Sequence, residues 1–256
     1  MDYQKEIKNI SSWMRDYLVS SGCGGYICGI SGGIDSAVIS ALCCKAVGFK
    51  RNFIAMYLPC QSDPSMEEDA IKLAENLKIE LRILNLIDSY NAIIKEMEKG
   101  GETVSRLTKA NTKARLRMTM LFAIANQYNY LVAGTGNKSE LDIGYCTLGG
   151  DSVVSCEPLG NFYKSEVYKI AELIPEIPKN ILTKAPSADL WKGQTDEEEI
   201  GMSYQKLDTI LINYYRNGGR YWDYKDGTTE EEFNKVSTMM NKAIYKNEMP
   251  PKYPRL

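Results

Sequence analysis

The sequence predicts an α/β fold: a doubly wound, mostly parallel sheet with helices on both faces and a helical C-terminal part. Apolar, β-branched runs alternate with helical patterns, the runs at 25–30, 53–58, 81–86 and 130–134 and the helices at 35–47, 65–77, 89–99 and 106–127. Such alternation is typical of parallel strands joined by crossover helices. Beyond residue 160 the patterns are helical, at 165–173, 196–214 and 229–245. Because ligands bind at the carboxyl ends of parallel strands, we expect the segments after the first and fourth strands to face one crevice, at a topological switch point.

Composition excludes several classes of function. The chain has 256 residues, a net charge of −2 and 44% hydrophobic residues, which is ordinary for a globular protein. This charge gives no basic surface for nucleic acid. The sequence contains no apolar run of about 18 residues and begins with polar residues, so neither a membrane span nor a signal peptide is predicted. We expect a cytoplasmic protein with no nucleic-acid or membrane partner.

The sequence contains no histidine, which excludes Ser-His-Asp and Cys-His nucleophiles and His-ligated metal sites. Its seven cysteines form an odd set without a Cys-x-x-Cys pair, which argues against a disulfide framework and a zinc site. The chemistry must therefore use carboxylates, Lys, Arg, hydroxyls and hard cations.

The segment Ser31-Gly32-Gly33-Ile34-Asp35-Ser36 joins the first strand to the first crossover helix. Its glycines let backbone N–H groups converge on an anion, its serines add hydroxyl donors, and the helix N-terminus adds partial positive charge. Asp35 fits beside phosphates if a cation lies between them, so we interpret it as a Mg²⁺ ligand. The alternative is that Asp35 and Ser36 only cap the helix.

This segment is neither a Walker A loop nor a dinucleotide fingerprint, because it lacks both Gly-Lys-Ser/Thr and Gly-x-Gly-x-x-Gly. It resembles the signature of the N-type ATP pyrophosphatases, which split ATP between its α and β phosphates and pass AMP to an acceptor.

Further segments follow in a fixed order: Asn-Thr-Lys-Ala-Arg at 111–115, Gly-Thr-Gly-Asn-Lys-Ser-Glu at 134–140, Gly150-Asp151, Lys164, and Pro-Ser-Ala-Asp-Leu at 186–190. Each alone is compatible with a turn, a cap or a solvated helix face. Together with 31–36 they resemble the ammonia-dependent NAD synthetases over about residues 25–210. The resemblance implies an adenine nucleotide alpha-hydrolase-like fold and a two-step reaction. ATP adenylates the carboxylate of deamido-NAD, releasing pyrophosphate, and ammonia then displaces AMP to give NAD.

The resemblance also implies roles for individual residues. Asp35 and Glu140 would hold Mg²⁺, and Lys164 would be catalytic and reach the ATP phosphates. Asp151 would be the catalytic proton acceptor for ammonium, and Arg115 would bind deamido-NAD. The full set of expected nucleotide contacts is Gly29, Ile30, Ser31, Gly32, Gly33, Ile34, Asp35, Ser36, Arg115, Thr135, Lys164, Ser187 and Lys246.

The acceptor half of the family pattern is altered. Leu148 stands where the family has a lysine and Ser155 where it has an aspartate, both positions that contact deamido-NAD. A family His-Lys pair is matched by Tyr245-Lys246, and an arginine that meets ATP is matched by Tyr57. Two explanations stay open: a subgroup that binds deamido-NAD differently, or a paralogue that adenylates another carboxylate.

Two other classes find less support in the sequence. A tRNA-modifying or GMP-synthetase-like pyrophosphatase would need a basic face, an RNA-binding appendage or a fused glutaminase. A non-catalytic nucleotide-binding regulator would not require Asp35, Glu140, Asp151 and Lys164 together.

We expect residues 1–256 to form a single synthetase domain without a fused glutaminase domain, because the phosphate loop begins at residue 31. Ammonia would then arrive free or from a separate glutaminase. The family is homodimeric, and the apolar helix after Asn111 is a candidate for the subunit contact or else a central core helix. Residues 214–228, rich in Gly and aromatic residues, form either a loop that closes over a ligand or one whose rings pack into the core.

Overall fold

We analysed a computed structural model, which describes residues 1–48, 50–191, 193–221, 226–248 and 250–252. In chain order its elements are α1 (Tyr3–Ser21), β1 (Gly25–Gly29), α2 (Ile34–Ala46), β2 (Phe53–Tyr57), α3 (Pro64–Leu77), β3 (Leu81–Ile83), α4 (Ile87–Lys99), α5 (Arg106–Tyr128), β4 (Tyr130–Val132), α6 (Lys138–Ile143), α7 (Lys164–Glu172), α8 (Lys179–Thr183), α9 (Asp196–Ile200), α10 (Tyr204–Arg216) and α11 (Glu230–Asn247). Among the described residues, no helix combines the length and the apolar character needed to span a bilayer.

The sheet is parallel and has the strand order β3-β2-β1-β4. The chain builds outward from β1 to β3 and then returns to place β4 on the other side of β1. The carboxyl ends of β1 and β4 therefore flank a topological switch point, where α/β sheets bind ligands. This confirms the predicted fold class and the predicted crevice.

Alternate side chains of the central strands enter two different cores, one on each face of the sheet. From β1, Tyr26 and Cys28 pack with α1, α2, α3 and α7, whereas Ile27 packs with α4 and α5. A strand buried on both faces reads as a continuous apolar run, which is the pattern of this parallel sheet. α5 thus serves as a core helix: its Met118, Leu121 and Ala125 are buried against the sheet.

A third apolar cluster holds the C-terminal part together. It joins α6, α9, α10 and α11 through Ile143, Ile200, Leu207 and Phe233. Within the described residues of the 214–228 segment, Tyr214 and Tyr221 both pack on the Phe233 ring, at centroid distances of 5.8 and 5.7 Å. These contacts favour the interpretation in which aromatic rings enter the core. Trp222 and Tyr224, also part of that prediction, lie outside the described residues.

One predicted boundary was wrong. The single helix expected at 196–214 is two helices, α9 and α10, separated at Gly201, which has a φ of 74°. A left-handed residue ends α9, and glycine adopts that conformation without a steric penalty. Ser203 then caps α10 by accepting a hydrogen bond from the backbone N–H of Lys206.

Candidate active site

A cavity of about 570 Å³ opens at the carboxyl ends of β1, β2 and β4. Its walls are the loops after β1 and β4, the N-terminal half of α5, and residues 184–196. Every predicted site residue except Gly32 lines it, namely Gly29, Ile30, Ser31, Gly33, Ile34, Asp35, Ser36, Arg115, Thr135, Glu140, Asp151, Lys164, Ser187 and Lys246. Residues far apart in the chain thus meet in one cavity.

The loop between β1 and α2 is held by its own hydroxyl groups. The Ser36 hydroxyl donates to the Gly33 carbonyl at 3.0 Å and accepts from the Ser31 N–H at 3.1 Å, and the Gly33 N–H donates to Ser31 Oγ at 3.2 Å. Gly33 is the N-cap of α2, and no side chain caps that helix. The capping alternative for Asp35 and Ser36 is therefore wrong. Ile34, Asp35 and Ser36 of the first turn line the cavity, so the N–H groups at this end of α2 lie at its wall, where an anion could bind.

Position 32 within this loop can be occupied only by glycine. Its φ is 80°, and a Cβ on it would lie 2.7 Å from the Met66 carbonyl oxygen. Both the left-handed backbone and the close approach of α3 require glycine. Gly32 therefore allows the loop to pack directly against α3.

A buried cluster of unlike charges lies beside the start of α2. Lys164 Nζ is 2.5 Å from Asp35 Oδ2 and 2.9 Å from Glu140 Oε1. The Lys164 side chain is 3% exposed and each carboxylate side chain 15% exposed. Asn137 Nδ2 donates to Asp35 Oδ1 at 2.9 Å, and the Tyr204 hydroxyl donates to Glu140 Oε1 at 3.2 Å. Two carboxylates from different elements therefore converge on one cation.

Burial and charge pull the pKa values of this cluster in opposite directions. Burial raises the pKa of Glu140 to about 7, although the Lys164 charge lowers it. Burial lowers the pKa of Lys164, but Asp35 and Glu140 outweigh that effect and hold it above its usual range. The Lys164 ammonium group is therefore charged at neutral pH.

Lys164 is positioned by buried polar contacts at the start of α7. Its backbone N–H donates to Ser139 Oγ at 2.8 Å, and the Ser139 hydroxyl donates in turn to Asp208 Oδ1. Asp208 Oδ2 also accepts from the Ser165 N–H at 2.8 Å. The Asp208 carboxylate, 2% exposed as a residue, thus ties α10 to the starts of α6 and α7.

Asp151 lies on the loop that follows α6 and lines the cavity. Its Oδ1 accepts from the Thr147 N–H at 2.9 Å, and the Thr147 hydroxyl donates to Asn111 Oδ1 on α5 at 3.0 Å. Desolvation in the cavity raises the pKa of Asp151 above its usual range, while the Thr147 hydrogen bonds lower it. A carboxylate with a raised pKa is suited to proton transfer.

Two cations hold the same loop. Arg115 Nε donates to the Leu148 carbonyl at 3.1 Å, and Lys246 Nζ donates to the carbonyls of Gly144 and Cys146 at 2.7 and 2.9 Å. Leu148 and Tyr245, two positions predicted to depart from the family pattern, line the cavity and are 45% and 64% exposed. Both residues therefore belong to the outer wall of the cavity.

Ser155, the third departure, lies outside the cavity lining. Its hydroxyl accepts from the Val132 N–H at 3.0 Å, and its own N–H donates to the Val132 carbonyl at 2.9 Å. The next residue, Cys156, forms a parallel bridge with Ala133. Ser155 thus continues the sheet beside β4.

Sequence reasoning missed several residues of the site. Lys184 lines the cavity and pairs with Asp69 Oδ2 at 2.6 Å. Trp191 lines the cavity as well. In the sequence it is a single aromatic residue between two motifs, which does not indicate a site. Glu157 lies behind the loop after β4: a Cβ on Gly134 would lie 2.5 Å from its Oε2, an atom that is buried without a hydrogen-bond partner among the described residues.

The donor set beside α2 fits Mg²⁺. Asp35 and Glu140 offer hard carboxylate oxygens at a place where Lys164 already holds a positive charge, and Mg²⁺ is commonly bound by one or two carboxylates with water and substrate phosphates. Within the described parts of the chain, no group of three or more His, Cys, Asp or Glu residues forms a complete metal cage. The remaining ligands of such an ion would have to come from phosphate and water.

An α/β nucleotide-binding enzyme is the class of protein that this sheet and cavity define, because α2 offers its N–H groups to phosphate next to carboxylates that suit a hard cation. The comparison with protein families is more specific. The family model described as NAD synthase matches residues 6–250, and the chain belongs to the NAD synthase family.

Individual relatives agree. The chain is 41% identical over 252 residues to the NH(3)-dependent NAD(+) synthetase of Archaeoglobus fulgidus, covering 98% of this chain and 97% of that protein. The solved structure of NMN synthetase from Francisella tularensis superposes with a TM-score of 0.87 at 32% identity, covering 99% of each chain. The NH3-dependent NAD synthetase of Campylobacter jejuni superposes with a TM-score of 0.84 at 30% identity, covering 99% of this chain and 100% of that one.

Proposed function

We propose that the protein catalyses the ATP-dependent amidation of deamido-NAD with ammonia, giving NAD, AMP and pyrophosphate through an acyl-adenylate. The observation that carries the proposal is the placement of Asp35, Glu140 and Lys164 beside the open N-terminus of α2, with Asp151 in the same cavity. The first group suits the activation of a carboxylate by ATP, and Asp151 suits the ammonia step. Family membership supports the same reaction.

In the first step, negative charge develops on the departing pyrophosphate. The N–H groups and hydroxyls at 31–36 and the Lys164 ammonium lie where they can stabilise that charge. A Mg²⁺ ion held by Asp35 and Glu140 would neutralise phosphate charge further. Thr135 and Ser187, which both line the cavity, would contact ATP.

In the second step, ammonium must lose a proton before its nitrogen can attack the acyl-adenylate. We assign that proton to Asp151, whose carboxylate is fixed by Thr147 and has a raised pKa. Arg115 and Lys246 shape the loop that carries Asp151, and both would contact deamido-NAD.

The assembly around this site is also part of the proposal. We propose a single synthetase domain over residues 1–256 that acts as a homodimer and takes ammonia free or from a separate glutaminase. Sedimentation at micromolar protein concentration tests the dimer, and a monomer there would contradict it.

A second candidate acceptor is nicotinate mononucleotide. The similarity to a protein described as NMN synthetase favours this acceptor. So do the residues Leu148 and Tyr245 in the cavity wall and the position of Ser155, which pairs with β4 and does not line the cavity. A mononucleotide needs fewer contacts along that wall than a dinucleotide.

The test supplies ATP, Mg²⁺ and ammonium chloride with deamido-NAD, with nicotinate mononucleotide, or with no acceptor, and follows AMP, pyrophosphate and the amide product by mass. NAD formed one for one with AMP supports the main proposal. Amide formed only from the mononucleotide supports the second candidate, and AMP release without either amide would mean that another carboxylate is the acceptor.

A further inference from the structure

Tyr204, the first residue of α10, belongs to none of the motifs found in the sequence, yet its hydroxyl reaches the charged cluster of the active site. The hydroxyl oxygen lies 3.2 Å from Glu140 Oε1 and 3.1 Å from Asp196 Oδ2. Tyr204 and Asp196 are each 4% exposed. Because a phenolic hydroxyl has one proton to donate, Tyr204 serves two buried carboxylates with a single donor. One of these carboxylates is an expected Mg²⁺ ligand.

The Tyr204 side chain is held in place from several directions. Its ring belongs to the apolar cluster that joins α6, α9, α10 and α11. The Lys164 ammonium nitrogen lies 4.9 Å from the ring centroid, in a cation–π contact. The backbone N–H of Tyr204 donates to Glu197 Oε1 at 2.9 Å. The hydroxyl therefore has a fixed position beside Glu140.

Asp196, the second carboxylate on this hydroxyl, holds a turn of the cavity wall. Its Oδ1 accepts from the Ala188 N–H at 3.1 Å, and its own N–H donates to the Pro186 carbonyl at 3.0 Å. The residue between them, Ser187, lines the cavity and is an expected nucleotide contact. Through Asp196, the Tyr204 hydroxyl is therefore connected to the turn that carries Ser187.

A carboxylate that binds a metal ion is oriented by the hydrogen bonds that its ligand oxygens accept from neighbouring groups. Asp35 has such a partner in Asn137, whose Nδ2 donates to Oδ1 at 2.9 Å. For Glu140, the neutral donor is the Tyr204 hydroxyl, since its other partner is the Lys164 ammonium group. The hydroxyl carries no charge to compete with a metal ion, so it can stay bonded to Glu140 when an ion is present.

If Asp35 and Glu140 hold Mg²⁺, as the proposed function requires, Tyr204 has a defined role in the adenylation step. We propose that Tyr204 is a positioning residue whose hydroxyl orients Glu140 toward the cation and, through Asp196, keeps the Ser187 turn aligned with the cation site. The metal end and the nucleotide end of the cavity are thereby connected by one buried hydroxyl.

The experiment measures the binding of Mn²⁺, a paramagnetic substitute for Mg²⁺, by electron paramagnetic resonance in the presence of α,β-methylene ATP. Tyr204→Phe removes the hydroxyl and keeps the ring in its cluster, so the variant should fold. It should weaken Mn²⁺ binding about 10-fold, a usual cost of losing the hydrogen-bond partner of a metal ligand. Tyr145→Phe is the matched control, because the Tyr145 hydroxyl donates to Asp196 and Glu199. Its effect should stay below about twofold on the same scale.

A double variant separates positioning from a general effect on the fold. If Tyr204 acts through Glu140, the Kd for Mn²⁺ of Glu140→Gln with Tyr204→Phe should equal that of Glu140→Gln alone. Additive losses, equal losses in Tyr204→Phe and Tyr145→Phe, or unchanged binding in Tyr204→Phe would overturn the role of Tyr204. The assay contains no acceptor. A wild type that binds Mn²⁺ in this way but forms no amide from deamido-NAD would instead contradict the proposed function.

Discussion

Lys164 and Asp35, 129 residues apart in the chain, form a buried ion pair at 2.5 Å where the loop after β1 meets the start of α7. The Glu140 carboxylate completes the cluster. Because both carboxylates already face one positive charge, a divalent cation can replace the ammonium group there with little rearrangement of Asp35 and Glu140. Lys164 would then be released toward the phosphates.

This arrangement predicts that Asp35→Asn and Glu140→Gln weaken Mg²⁺-dependent adenylation. Loss of one electrostatic partner at a reacting centre costs about 100-fold in rate. The rate of ATP–pyrophosphate exchange, measured as a function of Mg²⁺ concentration, reports on adenylation. Both variants should require more Mg²⁺ for half-maximal exchange. Glu80→Gln, whose side chain is 81% exposed, is the control. An unchanged Mg²⁺ requirement in both site variants would rule out the metal assignment.

Asp151→Asn should separate the two half-reactions. The amide cannot accept a proton from ammonium, whereas the phosphate cradle and the Asp35–Glu140 pair stay intact. We expect ATP–pyrophosphate exchange within about threefold of wild type and amide formation reduced about 100-fold, at the lower end for loss of general-base catalysis. Equal loss in both assays would show that Asp151 also serves adenylation.

The two glycines of the phosphate loop should respond differently to alanine. In Gly32→Ala the new Cβ meets the Met66 carbonyl at 2.7 Å with φ at 80°, so we expect a loss of stability of about 2 kcal/mol or more. Gly33 has a φ of −94°, and its Cβ would lie 3.3 Å from Ser31 Oγ, the tip of a side chain. Gly33→Ala should unfold near wild type in urea. Similar losses in both variants would contradict this account.

Glu157 should make stability depend on pH. Burial raises its pKa from 4.5 to about 8, although the backbone N–H of Gly136 lowers it in part. A carboxyl group with a raised folded-state pKa stabilises the fold below its unfolded pKa, and this contribution is lost as the pH rises to about 8. Glu157→Gln should therefore lose less stability than wild type between pH 5 and pH 9, by about 1 to 3 kcal/mol.

The measurement is urea unfolding at several pH values. Glu80→Gln is again the control, since an exposed carboxylate should give a curve parallel to that of wild type. A Glu157→Gln curve that is also parallel would mean that solvent reaches the carboxylate.

Local patterns were sufficient to predict the sheet and its crossover helices, because each strand is a short apolar run and each helix presents an apolar face. They were also sufficient for the loop at 31–36 and for its meeting with Glu140, since the carboxyl ends of β1 and β4 must share one edge. α1 was not predicted as an element, although Ile7, Ile10, Met14 and Leu18 recur at helical spacing and are buried. The polar residues at the N-terminus conceal this stripe, because they surround its apolar positions.

The remaining features depend on contacts between distant segments. The burial of Glu157 follows from the alignment of Ser155 and Cys156 with β4, and no local pattern sets that register. The ion pair of Lys184 with Asp69 joins α3 to the segment after α8, across 115 residues. A lysine before Pro-Ser-Ala-Asp reads equally well as a solvated charge, so its place in the cavity could not be assigned.

The pairing of Ser155 with Val132 has a consequence for how the protein behaves in a crowded solution. β4 forms an outer edge of the sheet, and an open edge offers hydrogen bonds to the strands of other molecules. Ser155 and Cys156 occupy those groups at Val132 and Gly134. Ser155 and Cys156 thus shield this edge of the sheet from pairing with the strands of other molecules.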